Sequence, residues 1–430
     1  MKRFPRVALA ISVLFCAGMW LYVSRVLVPQ QKQFAASHGI PRGNLSDLYP
    51  RWLGSRELLL HHRDPYGQEI TSEIQSGYYG RPLDAARPYD PQDQQAFAYP
   101  VYVAFVLAPT VGLPFDEVQA AFRWLLAGFT VLSVVLWLRG MRWRPSWIAG
   151  ATTVLLTLAT FPAVQGIRLQ QLGLFVTALI AGAVYLISRK QQILPGILLA
   201  LATIKPQLAL PLAAWLMLWS ASRFPLRWKF ATSFAITSAA LIAGGEVLLP
   251  GWMREFYSAV LAYRGYTRAG SILDQLAGPI AGKALGVLVV SAVAFAGWRA
   301  RKDSPDIQPP DTDAHHFWWT TSLVLAATAV IIPSTAPYNQ LLLVPGALLI
   351  VRTWANPLNV SPAFRVLRVL AAACVIWPWI SALALALASF FSVGGQRFWA
   401  IPLWTSLLPP VAVAACLLLP VLGRPLRRQG

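Results

Sequence analysis

Charge is what this sequence lacks most: 12% of its 430 residues are Asp, Glu, Lys or Arg, against 56% hydrophobic residues and a mean hydropathy of +0.53. Soluble domains carry about a quarter charged residues, so a water-soluble fold is excluded and the chain reads as an integral membrane protein. Acidic residues are scarcer still, 17 against 36 Lys and Arg, giving a formal charge of +19. In a soluble protein that excess would suggest nucleic acid. In a membrane protein it is what cytoplasmic loops gather, and no nucleic-acid partner is expected. Cysteine is almost absent: Cys16, Cys374 and Cys416 each sit in an apolar run, which excludes a disulfide framework and any metal-ligand spacing. His61-His62 and His315-His316 are adjacent pairs, not pairs one helical turn apart, so neither a metal site nor a cofactor is expected. No internal repeat is visible, which weighs against transporters built from duplicated halves.

Apolar length is abundant instead. Runs of about 17 to 25 residues, the length that spans a hydrocarbon core, recur along the chain and imply an all-α fold. The opening segment carries Lys2, Arg3 and Arg6 before an apolar run too long for a cleavable signal core, so it is expected to stay as a first helix with a cytoplasmic N-terminus. Spans are expected at about 7–28, 116–138, 146–163, 171–188, 230–249, 280–298, 316–334, 338–351, 366–388 and 400–421. The segment 193–222 begins and ends beside basic clusters, which requires an even number of crossings, so it is split at Lys205-Pro206 into two short helices. The expectation is a single polytopic domain over 1–430 of about twelve helices with both termini cytoplasmic. Thirteen of the 17 acidic residues then fall outside, and Asp303, Asp306, Asp311 and Asp313 share one Pro-rich cytoplasmic loop at 299–315.

The largest polar stretch is the first outer loop, residues 29–115. Its piece Tyr99 to Pro114, interrupted by Pro109, is too short to cross cleanly and is expected to be re-entrant. Ser46 as N-cap, Pro50 in the first turn, and Tyr49, Trp52, Leu53, Leu59 and Leu60 on one face predict an amphipathic helix lying at the interface. Asp47 stands at its start and Arg51 one turn on. That carboxylate has two readings: it complements the helix dipole and pairs with Arg51, or it is a general base at the membrane surface. Asp64-Pro65-Tyr66-Gly67 ends the helix with turn chemistry.

Among cations, Lys205 is the most informative. An ammonium between "LLALATI" and "PQLALPLAA" is costly in hydrocarbon and should face a polar cavity or a phosphate, snorkelling to headgroups being the bland alternative. Arg168, Arg264 and Arg268 are further candidates for a phosphate. Gln170 and Gln171 could bond sugar hydroxyls or cap the following helix.

Three stretches, "DLYPRWLGSRELLLHHRDPYG", "FAYPVYVAFVLAPTVGLP" and "RLQQLGLFVTALIAGAVYLISRKQQILPGILLALATIKPQLALP", resemble glycosyltransferase family 87, a polytopic family of the GT-C superfamily, over roughly residues 1–220. Where that family commonly has Tyr-Pro-Pro, this chain has Tyr99-Pro100-Val101, and a late patch is represented by Ile332 to Gln340 with Tyr338. The resemblance implies an inner-membrane hexosyltransferase. It would take mannose or a related hexose from a polyprenyl-phosphate sugar to a lipid or glycan acceptor on the extracytoplasmic face. Asp47 would be catalytic base, and Arg51, Asp64, Tyr66, Tyr99, Gln170, Gln171 and Tyr338 are further site candidates. The rival class is a lipid or sugar transporter or flippase, for which many helices and an embedded Lys205 would also be expected. A large polar outer loop favours the enzyme.

Overall fold

The computed structural model describes residues 4–267, 270–303, 312–354, 361–391 and 397–422. Arg268 and residues 304–311 of the expected cytoplasmic loop therefore lie outside the described residues. Among the described residues every regular element is a helix. In chain order they are α1 (Phe4–Tyr22), α2 (Val28–Ser37), α3 (Tyr49–His61), α4 (Gln68–Tyr79), α5 (Val103–Leu107), α6 (Phe115–Gly140), α7 (Trp147–Leu158), α8 (Phe161–Arg168), α9 (Gly173–Ser188) and α10 (Ile193–Leu201). There follow α11 (Pro206–Ala221), α12 (Phe224–Leu248), α13 (Trp252–Thr267), α14 (Ile272–Ala277), α15 (Pro279–Ala300), α16 (Thr312–Ile331), α17 (Val344–Thr353), α18 (Pro362–Ala388), α19 (Ile401–Thr405) and α20 (Leu408–Leu422).

Among the described residues six helices are long and apolar enough to cross a membrane, or seven if α7 and α8, bent by 63° at their junction, form one span. About twelve crossings are thus not confirmed, and one of the breaks has a local cause. Thr160 caps α8 through its side chain and Pro162 follows in the first turn, so an apolar run long enough for one helix is bent. The apolar helices Gly173–Ser188, Ile193–Ile204 and His316–Ile331 fall short of the length of a full span. The first helix runs on through a π-helical turn, Val23–Leu27, to Ser37, so the polar segment opens later than hydropathy suggests.

Helix α9 is the centre of the bundle. It is hydrophobic all round, with Val176, Ile180, Ala181, Val184 and Ile187 buried, as a helix with no polar stripe must be. It packs on α6 and α10. Gly182, Ala181 and Ala183 let those neighbours approach closely, the usual source of helix association where lipid removes the hydrophobic driving force.

The chain breaks at the expected point between α10 and α11. A 3-10 turn, Ala202–Ile204, leads to Lys205 at φ −125° and ψ 77°, and Pro206 opens the next helix. A residue before proline is driven out of the α region, and the break brings Lys205 to the N-terminus of α11.

The polar segment is packed against the bundle. In α3 Trp52, Leu53, Gly54, Ser55, Glu57 and Leu58 are all buried, and at 100° per residue these surround the helix axis, whereas Leu60 is 47% exposed. The single apolar face expected for an interfacial helix is thus replaced by burial on all sides. Nor does Ser46 cap α3: the N-cap is Leu48, without a side-chain cap, and the Ser46 hydroxyl donates to Gln170 Oε1 at 2.6 Å. Helix α3 ends at His62 in the left-handed region, φ 53°, where the His62 N–H donates to Leu58 O at 3.2 Å and the Arg63 N–H to Glu57 O at 3.1 Å. Tyr99 to Pro114 forms the short α5 and a 3-10 turn, Ala108–Thr110, with Trp52 Nε1 donating to Thr110 O at 3.1 Å.

Candidate active site

The start of α3, the turn after α8, the break before α11 and the 3-10 segment Pro337–Leu343 meet at one place. Backbone fixes the first contact: Asp47 N donates to Leu169 O at 2.9 Å, so the base candidate is tied to the turn that carries Gln170 and Gln171. Gln171 then bridges. Its Nε2 donates to Asp47 Oδ2 in a short hydrogen bond, and its Oε1 accepts from Lys205 Nζ at 3.0 Å. Lys205 Nζ also donates to Asn339 Oδ1 at 3.2 Å and lies 4.8 Å from the centroid of the Tyr338 ring. Gln171, Lys205 and Asn339 are each no more than 5% exposed.

An ammonium has three donors, and these contacts use two, leaving one N–H for a ligand. Its position makes a ligand anion favourable. Lys205 stands at the N-terminus of α11, the positive end of the helix dipole, where a cation is disfavoured and an anion stabilised. Space is reserved as well: a Cβ on Gly173 would come within 3.2 Å of Lys205 Nζ, so glycine there admits the ammonium.

Asp47 Oδ1 accepts from the Tyr78 hydroxyl at 3.1 Å. Burial, and then the neighbouring carboxylate, hold the Tyr78 phenol well above its ordinary pKa, so it remains a donor to Asp47 at neutral pH. Arg51 does not form the expected ion pair. Its Nη1 donates to the Asp47 backbone carbonyl at 3.0 Å, its guanidinium lies 4.6 Å from the Tyr99 ring, and its Nε is buried without a partner.

The other sequence candidates separate cleanly. Gln170, wholly buried at φ 50°, organises the turn: its amide donates to Ile167 O and Arg168 O, and its Oε1 takes both Ser46 Oγ and Gln119 Nε2. Asp64 closes an Asx turn onto Tyr66 N at 2.9 Å, and the Tyr66 hydroxyl donates to Tyr99 O at 2.7 Å, so both shape the loop. Arg168 has Arg42 and Arg123 as its charged neighbours, whereas those of Lys205 are Arg51 and Asp47. Arg264 is exposed on α13, although Tyr263 beside it is within electrostatic reach of Asp47 and Arg51. Among the described residues no three His, Cys, Asp or Glu side chains gather as a metal site.

Three participants were not singled out from sequence. Asn339 falls inside the late patch but carries no motif of its own. Tyr78 belongs to a helix whose sequence, "QEITSEIQSGYY", gives no chemical signal. Asp93 accepts from Gln95 N and Gln95 Nε2, both at 3.0 Å, and burial raises its carboxyl above the ordinary range against the opposing effect of Gln95 and Arg51. It is a second acid within electrostatic reach of Asp47.

Beside the cluster, Gln340 follows Asn339 and lines an apolar cavity of about 460 Å³ between α7, α17, α18 and α20, with Phe161, Val344, Trp379 and Val413 in its wall. Its Nε2 is buried without a partner.

In a comparison with protein families, the model of glycosyltransferase family 87 aligns with residues 97–309. The matched segment holds Tyr99, Gln170, Gln171 and Lys205 and extends beyond the stretches that carry the resemblance. Asp47 and Arg51 lie before it and Asn339 after it. No curated protein matches the chain.

Proposed function

We propose that this chain, which belongs to glycosyltransferase family 87, moves a hexose, mannose by preference, from a polyprenyl-phosphate sugar to a hydroxyl of a lipid or glycan acceptor, with Asp47 as general base. One observation carries the reading: a single buried amide, Gln171, holds the Asp47 carboxylate at its nitrogen and the Lys205 ammonium at its oxygen. A proton acceptor and a phosphate-binding cation are thereby kept one side chain apart, the separation needed on two sides of an anomeric carbon.

In this reading the acceptor hydroxyl lies against Asp47, and the donor phosphate takes the remaining N–H of Lys205 at the N-terminus of α11. The bond between the anomeric carbon and the phosphate oxygen breaks as the bond to the acceptor oxygen forms. The acceptor proton passes to Asp47, and the electron pair leaves on the lipid phosphate. One base and a good leaving group need no covalent intermediate, so the product is inverted. Charge stabilisation on the departing phosphate by Lys205 and the α11 dipole is the main catalytic term. Tyr78 and Gln171 both donate to the carboxylate, which aims it for proton abstraction. The apolar cavity beside Gln340 takes the isoprenoid tail, whose hydrocarbon matches its lining. Basic clusters at the other ends of the helices put the polar segment, and with it the site, on the extracytoplasmic face of the inner membrane.

The test is transfer from radiolabelled polyprenyl-phosphate mannose to an extracted lipid and glycan pool, with purified protein in nanodiscs, wild type beside Asp47→Ala. Labelled product from wild type alone is expected. Equal product from both would remove Asp47 as base. Movement of the sugar lipid across the bilayer without product would replace the enzyme by a transporter.

A further inference from the structure

The segment between α4 and α5, residues 80–102, contains no helix or strand. Irregular connections longer than about 12–15 residues are uncommon in compact proteins unless they carry a function. This one is held in shape from beneath. Gln75 of α4, itself buried, accepts from Leu83 N at 3.0 Å through its Oε1, while its Nε2 donates to Gln94 O at 3.1 Å and to Gln94 Oε1 at 2.9 Å. One amide thus ties together the two ends of the stretch 83–94, and the residues between them form the rim of a cup of about 360 Å³. Gly265 and Tyr266, in the last turn of α13, close its other side.

The lining selects a class of ligand. Its volume falls within the range of about 300–1,000 Å³ that small-molecule sites occupy. Its charges are already matched within the protein: Asp84 pairs with Arg87 at 3.5 Å, and Asp90 with Arg81, which lies outside the lining, at 2.6 Å. No net charge is left to draw in an ion. Hydrogen-bonding capacity does remain. The Nη groups of Arg87 and one N–H of Gln94 have no protein partner among the described residues, and Gln92 is exposed. Beside them stands the ring of Tyr266, an apolar body with a polar tip. Donors, acceptors and one aromatic ring around a space without net charge match a polyhydroxylated ring, each hydroxyl of which both donates and accepts. A hydrocarbon chain would strip these groups of water and put nothing in its place.

We infer that the cup between residues 83–94 and Tyr266 binds a neutral glycan, holding the sugars of the acceptor that lie away from the hydroxyl facing Asp47. The acceptor role rests on the transferase reading; the sugar binding itself does not. Two neighbouring side chains join the cup to the reacting end. Tyr79 donates to the carbonyl of Asp93, next to Gln94, at 2.7 Å, and Tyr78 donates to Asp47 Oδ1 at 3.1 Å, the two rings standing 4.8 Å apart. The end of α4 therefore fixes the spacing between the base and the cup. The acceptor is then an oligosaccharide or its lipid-linked form, not a single sugar.

The full chain in nanodiscs tests this, with α-1,6-mannotriose and maltotriose as neutral probes and binding read by saturation-transfer difference NMR. Wild type should bind at least one of them. A Cβ on Gly265 would meet nothing within 4 Å, so Gly265→Phe fills the cup without displacing its neighbours. It should weaken binding about tenfold, with a thermal midpoint no lower than that of wild type, since a helical glycine is replaced. Should that variant fail to fold, Arg87→Ala/Gln92→Ala, at two exposed positions, decides the matter with a loss of about threefold. Lys205→Met should bind the trisaccharide as wild type does, and inorganic phosphate should not compete. No binding of either probe by wild type, or equal binding by wild type and the cup variants, overturns the site. Displacement by inorganic phosphate overturns the neutral ligand. Where transfer is measurable, Gly265→Phe should raise KM for an oligosaccharide acceptor several-fold more than it lowers kcat. If no transfer is found but binding follows the cup residues, the transferase reading falls and the glycan site stands; if transfer is found and binding ignores them, the reverse holds.

Discussion

Two buried cations mark opposite ends of α11, and they are treated in opposite ways. Arg227, just beyond its C-terminus and 5% exposed, donates to Trp219 O at 2.7 Å, Asp303 O at 2.8 Å and Arg301 O at 3.1 Å, with the Trp219 ring 3.9 Å away. Carbonyls at the negative end of a helix are what a cation wants, and this one is saturated by backbone. Lys205, equally buried, stands at the positive end with two amide oxygens and an aromatic ring. The first arrangement closes a structure. The second leaves one N–H for the anion proposed above, and that contrast in pairing, not burial, is what sets the two charges apart.

The comparison breaks most visibly at Asp47, which faces Lys205 across Gln171. Asp47→Asn keeps the contacts to Tyr78 in size but removes the proton acceptor, and transfer should fall by about 10² to 10⁴. The assay is initial rate in nanodiscs, with a thermal midpoint recorded to show that the fold survives. Lys205→Met comes next. Loss of the charge on the departing phosphate should cost about 10² to 10³ in rate, while stability is unchanged or improved, because a desolvated cation at a helix N-terminus has been replaced by an apolar chain. A marked drop in thermal midpoint for Lys205→Met would show that the lysine is structural after all. Lys205→Arg should rescue little, since Gly173 leaves room for an ammonium and not for a guanidinium fork.

Arg227→Met should give the reverse. Loss of the buried hydrogen bonds to Trp219 O, Arg301 O and Asp303 O should cost about 1–3 kcal/mol of stability, read as a lower unfolding midpoint, while activity per folded molecule stays constant. A rate loss without a stability loss would cancel the distinction.

How far this was legible differs between the two ends of the argument. The Lys205-Pro206 break could be read from the chain, because proline constrains its predecessor wherever it stands and the charge in an apolar run demands a polar neighbour. Asp47, Gln171 and Tyr338 were also within reach as residue types suited to the chemistry. Their connection was not: Gln171 lies 124 residues from Asp47 and 34 from Lys205, and nothing local says that one amide serves both. Hydropathy measured apolar length but not the bend between α7 and α8 or the short lengths of Gly173–Ser188, Ile193–Ile204 and His316–Ile331, so six or seven candidate spans stand among the described residues where about twelve crossings were expected. The periodicity of α3 suggested one buried face because the sequence does not show that Phe97, α4 and α5 cover the others. Arg168 was grouped with Lys205 as a cation on the same side, yet its charged neighbours are Arg42 and Arg123, while those of Lys205 are Arg51 and Asp47.

The polar segment supplies the smallest test of the same contrast. Arg63 is paired with Glu57 at 2.7 Å, Glu69 at 2.9 Å and Glu73 at 2.5 Å, and Arg81 holds Asp90 through two bonds of 2.6 and 2.8 Å. The Arg81 hydrogen bonds hold the Asp90 carboxyl below its ordinary range. A carboxyl depressed in the folded state stabilises above its unfolded pKa, and that contribution is lost as pH falls through the folded value. The thermal midpoint should therefore be level from neutrality to about pH 5 and decline below about pH 4, and Arg81→Ala should flatten that part of the decline while lowering the neutral midpoint by about a degree or two. Transfer at neutral pH should not change, because this charge, like Arg227, already has its partner. If removing Arg81 slowed transfer as much as removing Lys205, pairing would no longer tell the two kinds of charge apart.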